Sequence, residues 1–584
     1  MGPHILTDRG LEQDLTRKIE EKAAAYAPEW RFDTEQPDVG TAIACIFARM
    51  HQGTLEQYNR VPQKLTTEFF NEIQTSMKPS SPASGYVSFG LVNDTVEGTE
   101  VLKGTVLTTE VTNKEGEPIP LETRDDLYVS PVEFAEVYQS YDQADYIEKV
   151  YQAEEEYRPF SLFGFEETNL QSHELYIGHS KVFAIKGGAK IELTFEESLG
   201  KPVENRFLRA LADPGQAVFS YSFGEGYTEF EEVRAEDGKL CLIKRQDQLP
   251  WGEQELEGVE KFWLRCRLLQ IKKLKDFSFR RLSLSSMADF LLPDAVLGSG
   301  AELPLEECLP FGEQFSIYDE VYFASDEAFT KGGAFIRLSF HREFVKIPLA
   351  GKSSQATDWK LIMRRNQFQV EREYDITIGE VIWEYYNGSG WVRLFKGREY
   401  GEVFGIDTGI YRQKVTLVFS CPKDMAPILV GGVEARYIRA RIWKVNNAFK
   451  TQGQYISPLI SNIRIGYQYP LAGVEAEYLA VSNNLEKKGF AAAACLGKPY
   501  PFYPFTQPGD KEPALYLGSV KPWENGPIRI LWEVKEGTLE KMPPLCWEYY
   551  TCGRWKELNP ADGTENFKKT GLLTFSSPGD LTQE

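Results

Sequence analysis

One twelve-residue pattern occurs three times without a gap, and it narrows the possible folds more than any other feature of the chain. It reads FSYSFGEGYTEF from Phe219, WEYYNGSGWVRL from Trp383 and WEYYTCGRWKEL from Trp547. Each copy has an aromatic residue at its first, third and ninth positions and a large apolar residue at its twelfth. These are Phe219/Trp383/Trp547, Tyr221/Tyr385/Tyr549, Tyr227/Trp391/Trp555 and Phe230/Leu394/Leu558. Residues one and three share a strand face, the glycine-bearing stretch turns the chain, and residue nine returns on the partner strand. The pattern therefore predicts a β-hairpin.

A second motif precedes each hairpin: ELYIGHSKVFAIKGGAKIELTF from Glu174, EVYFASDEAFTKGGAFIRLSF from Glu320 and ALYLGSVKPWENGPIRILWEV from Ala514. In each, a tyrosine (Tyr176, Tyr322, Tyr516) is followed by a second aromatic residue (Phe183, Phe329, Trp523), a glycine and an alternating strand. A Pro-Phe pair stands upstream: Pro159-Phe160, Pro310-Phe311 and Pro504-Phe505. A third motif, FWLRCRL from Phe262 and RYIRARI from Arg436, follows only the first two hairpins. FSSP at Phe575 matches FSCP at Phe419, but the chain stops soon after Pro578. The third copy is thus expected to lack a strand, supplied by a partner or by polypeptide beyond Glu584. Uneven spacing of the copies argues against a solenoid or propeller and for tandem β-sandwich-like modules. The recurrent aromatics Tyr176, Phe183, Tyr322, Phe329, Trp383, Tyr385, Trp391, Tyr516, Trp523, Trp547, Tyr549 and Trp555 are expected in their cores rather than as sugar platforms.

The N-terminal segment differs. Leu11, Leu15 and Ile19 have helical spacing. Breaks follow at Ala27-Pro28 and Pro37-Asp38. Asp38 is the expected N-cap of a helix from Thr41 to about Asn59, with the apolar stripe Ile43, Ile46, Phe47, Met50, Leu55 and Tyr58. Pro62 then suits the first turn of a third helix bearing Leu65, Phe69 and Ile73. Lys78–Gly85 reads as a Pro/Ser linker. Tyr86–Leu91 alternates like a half-buried strand, strands are expected on both sides of Gly104, and Asp142–Glu156 is a later candidate helix. The expected architecture is mainly β with a small N-terminal α-helical head, in several domains: 1–77 helical head, 78–157 first β domain, and β repeats at 158–290, 291–470 and 471–584, with the first repeat beginning near Arg158.

Acidic residues outnumber basic ones, 86 to 65, for a net charge of −21, and no four Lys/Arg are consecutive, so nucleic acid is not an expected partner. No apolar run reaches the length of a membrane span, and no secretory leader opens the chain. None of the eight cysteines forms a C-x-x-C pair, so reduced thiols are expected. Nucleotide-loop, nucleophile-elbow and zinc-protease motifs are missing. The five histidines are dispersed; His173 and His179 read as turn or surface residues, and His51 as a boundary residue. Glu384 and Glu548 lie beside tryptophans, as glycosidase acids can, but their repeated position reads as an outward-facing strand site. Arg265, Arg267, Arg439 and Arg441 read as an exposed strand face paired with carboxylates. No catalytic residue, metal or cofactor is expected. A glycan-binding adhesin and a glycoside hydrolase are the competing function classes.

The segment PDVGTAIACIFARMHQGTLEQYNRVPQKLTTEFFNEI, Pro37 to Ile73, resembles the N-terminal signature of baseplate wedge proteins of contractile phage tails and tail-like injection systems. It has an acidic-x-Gly-x-Ala start, an apolar helix, a Tyr-Asn-Arg-x-Pro corner and a second helix. The Pro82-Ala83 turn, Gly104-Thr105 corner, LYIGH and WEYYNG segments are similar to the same family, and the plan of helical head and β wings is similar to that of a baseplate component of type VI secretion systems. The resemblance implies a non-enzymatic structural protein. Its helical head would join a sister copy or paralogous wedge subunit, and six wedges would form a ring around the hub and spike, contacting the sheath initiator. Such particles assemble in the bacterial cytoplasm.

Overall fold

The computed structural model describes residues 11–75, 78–92, 97–152, 159–164, 168–348, 374–406, 412–449, 453–509, 512–520, 523, 527–535 and 544–582. The protein is mainly β, with two helices at its N-terminus, α1 (Leu11–Tyr26) and α2 (Val39–Glu72). By compactness the chain divides into two units. One holds 1–129, 526–547 and 558–576; the other holds 130–525, 548–557 and 577–584.

In the first unit Asp38 caps α2 as expected, its Oδ1 accepting the Thr41 amide at 2.6 Å. Its Oδ2 also accepts Nε1 of Trp30 at 3.0 Å. A Cβ at Gly40 would lie 3.0 Å from that indole, which explains the glycine two residues after the cap. The expected third helix does not exist separately. Pro62 lies inside α2. An interior proline costs a helix about 3 kcal/mol, and helix-forming runs on both sides carry α2 through it. Tyr86–Leu91 is not a strand: it finds no partner strand among the described residues, and Tyr86 and Val87 are exposed. The strands beside Gly104, Thr99–Val101 and Val106–Thr112, pair not with each other but with Leu127–Val129 and Pro118–Glu122. Asp142–Ala144 is one 3-10 turn followed by the strand Tyr146–Gln152, not a helix; residues 153–156 lie outside the described residues.

The repeats share one strand order. A lead hairpin comes first: Phe134–Tyr141 with Tyr146–Gln152, Ala295–Gly298 with Ala301–Glu302, and Tyr478–Asn483 with Glu486–Ala491. The tyrosine strand follows (His173–Gly178, Glu320–Ala324, Ala514–Ser519), then a flank strand (Ala189–Ser198, Phe335–Pro348, Pro527–Trp532). The aromatic hairpin is next: Ala217–Phe223 with Gly226–Glu229, Tyr374–Tyr386 with Trp391–Arg393, and Trp547–Thr551 with Arg554–Leu558. An inner strand pairs antiparallel with the flank strand in all three copies: Lys239–Lys244, Gln413–Ser420 and Gly571–Ser576. The first two copies continue with an arginine strand (Val259–Leu268, Tyr437–Asn446) and a closing strand (Arg281–Leu291, Gly453–Glu475). The common order therefore reaches back to Phe134, upstream of Arg158. In the third copy the tyrosine strand and most of the hairpin belong to the second unit, while the flank and inner strands belong to the first.

The lead hairpins of repeats one and three are exchanged. In repeat two the lead strand pairs with its own tyrosine strand, Leu297 opposite Tyr322. The lead strand of repeat three instead pairs with the tyrosine strand of repeat one, Ala480 opposite Tyr176. Reciprocally, the lead strand of repeat one pairs with the tyrosine strand of repeat three, Tyr138 opposite Tyr516. Side chains follow the strands: Phe134 packs on Trp523 at 5.6 Å, and Phe505 lies 6.2 Å from Phe277. Loop-closure entropy grows only logarithmically with length, so pairing residues this far apart in sequence is thermodynamically cheap, though slow. The closing strands of repeats one and two pair with each other, and one continuous core runs from Leu175 to Phe505.

Candidate functional site

Two features stand out: the face of α2 and a repeated arginine cluster. On α2, Ile43, Ile46, Phe47, Met50, Tyr58, Leu65 and Phe69 are each between 57% and 70% exposed, and Leu55 is half-buried. Most follow steps of three or four residues, which places them on one side of the helix. His51 is no boundary residue; it is exposed and stacks on Phe47, with ring centroids 5.9 Å apart. A row of large apolar side chains facing solvent is a candidate interaction surface. Ile73, 49% exposed, extends it, while Phe70, 48% exposed, lies on another side of the helix. Phe70 lies off the spacing of Leu65, Phe69 and Ile73, which is why the apolar stripe passes over it.

The arginine cluster follows from strand register. Arg265 lies opposite Ser220 of its hairpin and Tyr176 of its tyrosine strand; Arg439 lies opposite Glu384 and Tyr322. Each guanidinium covers the ninth-position ring, Arg265 at 4.2 Å from Tyr227 and Arg439 at 4.0 Å from Trp391. Tyr176 and Tyr322 each donate their hydroxyl to the glutamate two residues earlier, Glu174 and Glu320. Those carboxylates reach Arg265 at 3.8 Å and Arg439 at 2.8 Å. Burial and that carboxylate bond push both phenols up. Glu384 is buried, not outward-facing: Oε2 accepts from Arg439 and Oε1 from Arg441, at 2.9 and 3.0 Å. Arg439 is likewise buried, so this strand face is not an exposed one. Glu548 is exposed.

Of the recurrent aromatics, Tyr176, Phe183, Tyr322, Phe329, Trp383 and Tyr385 are buried. Trp391, Tyr516, Trp523, Trp547 and Tyr549 are half-buried, and Trp555, expected in the core, is 43% exposed. The ninth-position ring meets the tyrosine in every copy. The pairs are Tyr176–Tyr227, Tyr322–Trp391 and Tyr516–Trp555, at 6.0, 5.5 and 5.4 Å, all edge-on.

Both strand-border histidines are buried, so neither is a surface residue, although His179 does hold a turn. His173 sits where the exchanged hairpins meet, Nε2 at 2.9 Å from Asp145 of the repeat-one lead hairpin and Nδ1 at 2.6 Å from Asn483 of the repeat-three one. His173→Ala is expected to cost about 2 kcal/mol, because it removes a bond from the buried Asn483 and one from the half-buried Asp145; the denaturation midpoint is the check. His179 Nδ1 accepts the amides of Lys181 and Val182 at 3.0 and 3.1 Å. Two buried lysines, Lys244 and Lys331, go beyond the sequence reading. Lys244 Nζ donates to the Gly187 carbonyl at 2.9 Å. Lys331 Nζ donates to the carbonyls of Ala184 and Glu327, and burial pushes it down to about 8. For Lys331 the available signal is the Lys-Gly-Gly shared by repeats one and two, at Lys186 and Lys331.

All eight cysteines are free thiols. Among the described residues no His, Cys, Asp and Glu group could hold a metal ion, and no helix is long and apolar enough to cross a membrane. No family model and no curated protein matches the chain. Among solved structures, an allantoicase from Saccharomyces cerevisiae matches at 9% identity, over 51% of this chain and 73% of that one, with a TM-score of 0.14. That likeness is too weak to bear on fold or function.

Proposed function

We propose that the protein is a structural baseplate wedge subunit of a contractile phage tail-like particle or injection system. The observation that supports this most is the solvent-facing apolar row on α2, because it lies within the segment that resembles the wedge signature. In this reading α2 packs against the corresponding helices of a sister copy or paralogous wedge subunit. Six wedges then close a ring around the hub and spike, and the β repeats reach toward neighbouring wedges and the sheath initiator. Assembly takes place in the bacterial cytoplasm, and neither nucleic acid nor a cofactor takes part.

The double variant Phe47→Asp, Met50→Asp tests the reading. Both side chains are exposed, so stability should change by no more than about 0.5 kcal/mol per site. Co-purification with partner wedge subunits should be lost. Undiminished co-purification would refute the role given to α2.

A further inference from the structure

Between the aromatic hairpin and the inner strand, repeat two has residues 394–412 where repeat one has only 230–238. The described part of this longer loop, 394–406, is pinned to the hairpin. The Leu394 amide donates to the Trp383 carbonyl at 2.9 Å, and the Val381 amide to the Gly401 carbonyl at 2.7 Å. Trp383 Nε1 donates to the Tyr400 carbonyl at 3.1 Å. Phe395 is buried against Tyr400, with ring centroids 4.9 Å apart. The loop thereby walls a cleft of about 340 Å³ whose lining includes Glu380, Arg393, Phe395, Arg398, Glu399 and Trp443. That volume lies in the range of small-molecule sites.

Trp443, 46% exposed, follows Arg439 and Arg441 along the same side of the arginine strand. Tyr318 props its indole edge-on, with ring centroids 6.2 Å apart, and the Arg441 guanidinium lies 5.7 Å from the Tyr318 ring. Tyr318 has a φ of 76°, a left-handed backbone that disfavours a bulky side chain. Two main-chain bonds hold it there. Its amide donates to the Ile442 carbonyl, and the Ile442 amide donates to the Asp319 carbonyl, each at 2.9 Å. Its ring is nevertheless 59% exposed, so no core packing calls for it. The repeat does not demand these residues either. Counted from the shared tyrosine, arginine and hairpin positions, repeat one has Ser172, Leu269, Gln216 and Glu229 where repeat two has Tyr318, Trp443, Glu380 and Arg393.

We infer that this cleft binds a neutral saccharide, with a pyranose ring laid on Trp443. An exposed indole offers a flat apolar surface that matches the C–H face of a sugar ring. A sugar hydroxyl both donates and accepts, and the lining answers both. The carboxylates of Glu380 and Glu399 accept, and the guanidinium groups of Arg393 and Arg398 donate. Glu380 and Arg398 already stand side by side, 3.5 Å apart, as adjacent hydroxyls on one ring require. The two carboxylates balance the two guanidinium groups, so the lining does not select a charged ligand. The inference does not depend on the wedge reading.

The test uses the full chain with cellobiose, maltose, lactose, chitobiose and mannobiose as probes, and a glucuronic-acid disaccharide as the charged comparison. At least one neutral disaccharide should bind, quench tryptophan fluorescence and receive saturation transfer on its ring protons. Trp443→Ala should weaken that binding by roughly tenfold or more, and Glu380→Gln by roughly threefold. Leu269→Ala, at the matching exposed position of repeat one, should leave it unchanged. Tyr318→Gly separates binding from folding: glycine relieves the left-handed backbone, so the denaturation midpoint should hold or rise while binding weakens. Three results would each overturn the inference: no neutral disaccharide binds, binding is indifferent to both Trp443→Ala and Glu380→Gln, or the charged disaccharide binds more tightly than every neutral one.

Discussion

Glu384→Ala should lower stability by about 3 kcal/mol, while Glu548→Ala, at the same position of the third repeat, should change it by less than about 0.5 kcal/mol. The sequence context is nearly identical, WEYYNG against WEYYTC, so the difference must come from surroundings. Glu384 is 6% exposed and lies between Arg439 and Arg441. Removing one member of a buried ion pair leaves the other charge desolvated and uncompensated, which typically costs 3–5 kcal/mol. Arg439 retains Glu320 at 2.8 Å, and that places the expected loss at the lower end. Glu548 has surrounding water to solvate it, so its removal leaves no buried charge behind. Denaturant midpoints followed by tryptophan fluorescence would measure both, with Trp383 and Trp391 as nearby reporters. Equal effects at the two sites would mean that the buried pair does not form. The same geometry answers the glycosidase reading of Glu384: both of its oxygens accept from guanidinium groups, so neither is turned toward a substrate.

The parts of this fold that can be read from sequence are those determined within one repeat. Three copies of the aromatic pattern show period-two spacing around a turn, and the hairpins follow from it. The Asp38 cap is equally local, an acid three residues before the amide it accepts. The exchange of lead hairpins is not local. Phe134–Tyr141, Ala295–Gly298 and Tyr478–Asn483 share no motif beyond alternation, so nothing in them shows which tyrosine strand each will join. Burial of His173 follows from that exchange, because its partners Asp145 and Asn483 come from lead hairpins of different repeats. Glu384 is illegible for a related reason. Alternation places it on one face of the hairpin, but which face is covered depends on the arginine strand laid beside it. The aromatic rows also differ in their neighbours: the same ninth position is half-buried beneath Arg439 in repeat two and exposed in repeat three.

His179 should make the second unit lose stability as pH falls from about 6.5 to about 4, and His179→Ser should remove that dependence. Burial pushes the imidazole down to about 4. Glu477, with its carboxylate 3.6 Å away, acts in the opposite direction, while Lys261, Lys181 and Lys331 add to the lowering. Burial prevails; in addition, Nδ1 is committed as acceptor of two amides, bonds that a proton there would break. In the unfolded chain an ordinary histidine binds its proton near pH 6.5. Between 6.5 and 4 the unfolded state therefore holds more protons than the folded one, so acidification favours unfolding, by about 3 kcal/mol in total. The contribution is fully present above 6.5 and fully lost below 4. Glu477 acts in a lower window. Burial raises it, but bonds from Lys261 and Ser180 hold it at about 2, so its stabilisation fades only as pH drops from the usual glutamate range toward 2. Serine is the informative replacement because Ser325 occupies the matching position in repeat two, its Oγ accepting the Ala328 amide at 3.4 Å. The variant thus keeps an acceptor for the turn but has nothing to titrate. Between pH 7 and pH 4 the stability difference between the two proteins should shift by about 3 kcal/mol in favour of the variant, because only in the wild type must the fold keep an imidazole neutral; denaturant midpoints at pH 7, 5.5 and 4 measure it. Parallel curves would mean that the imidazole is not held neutral by its turn.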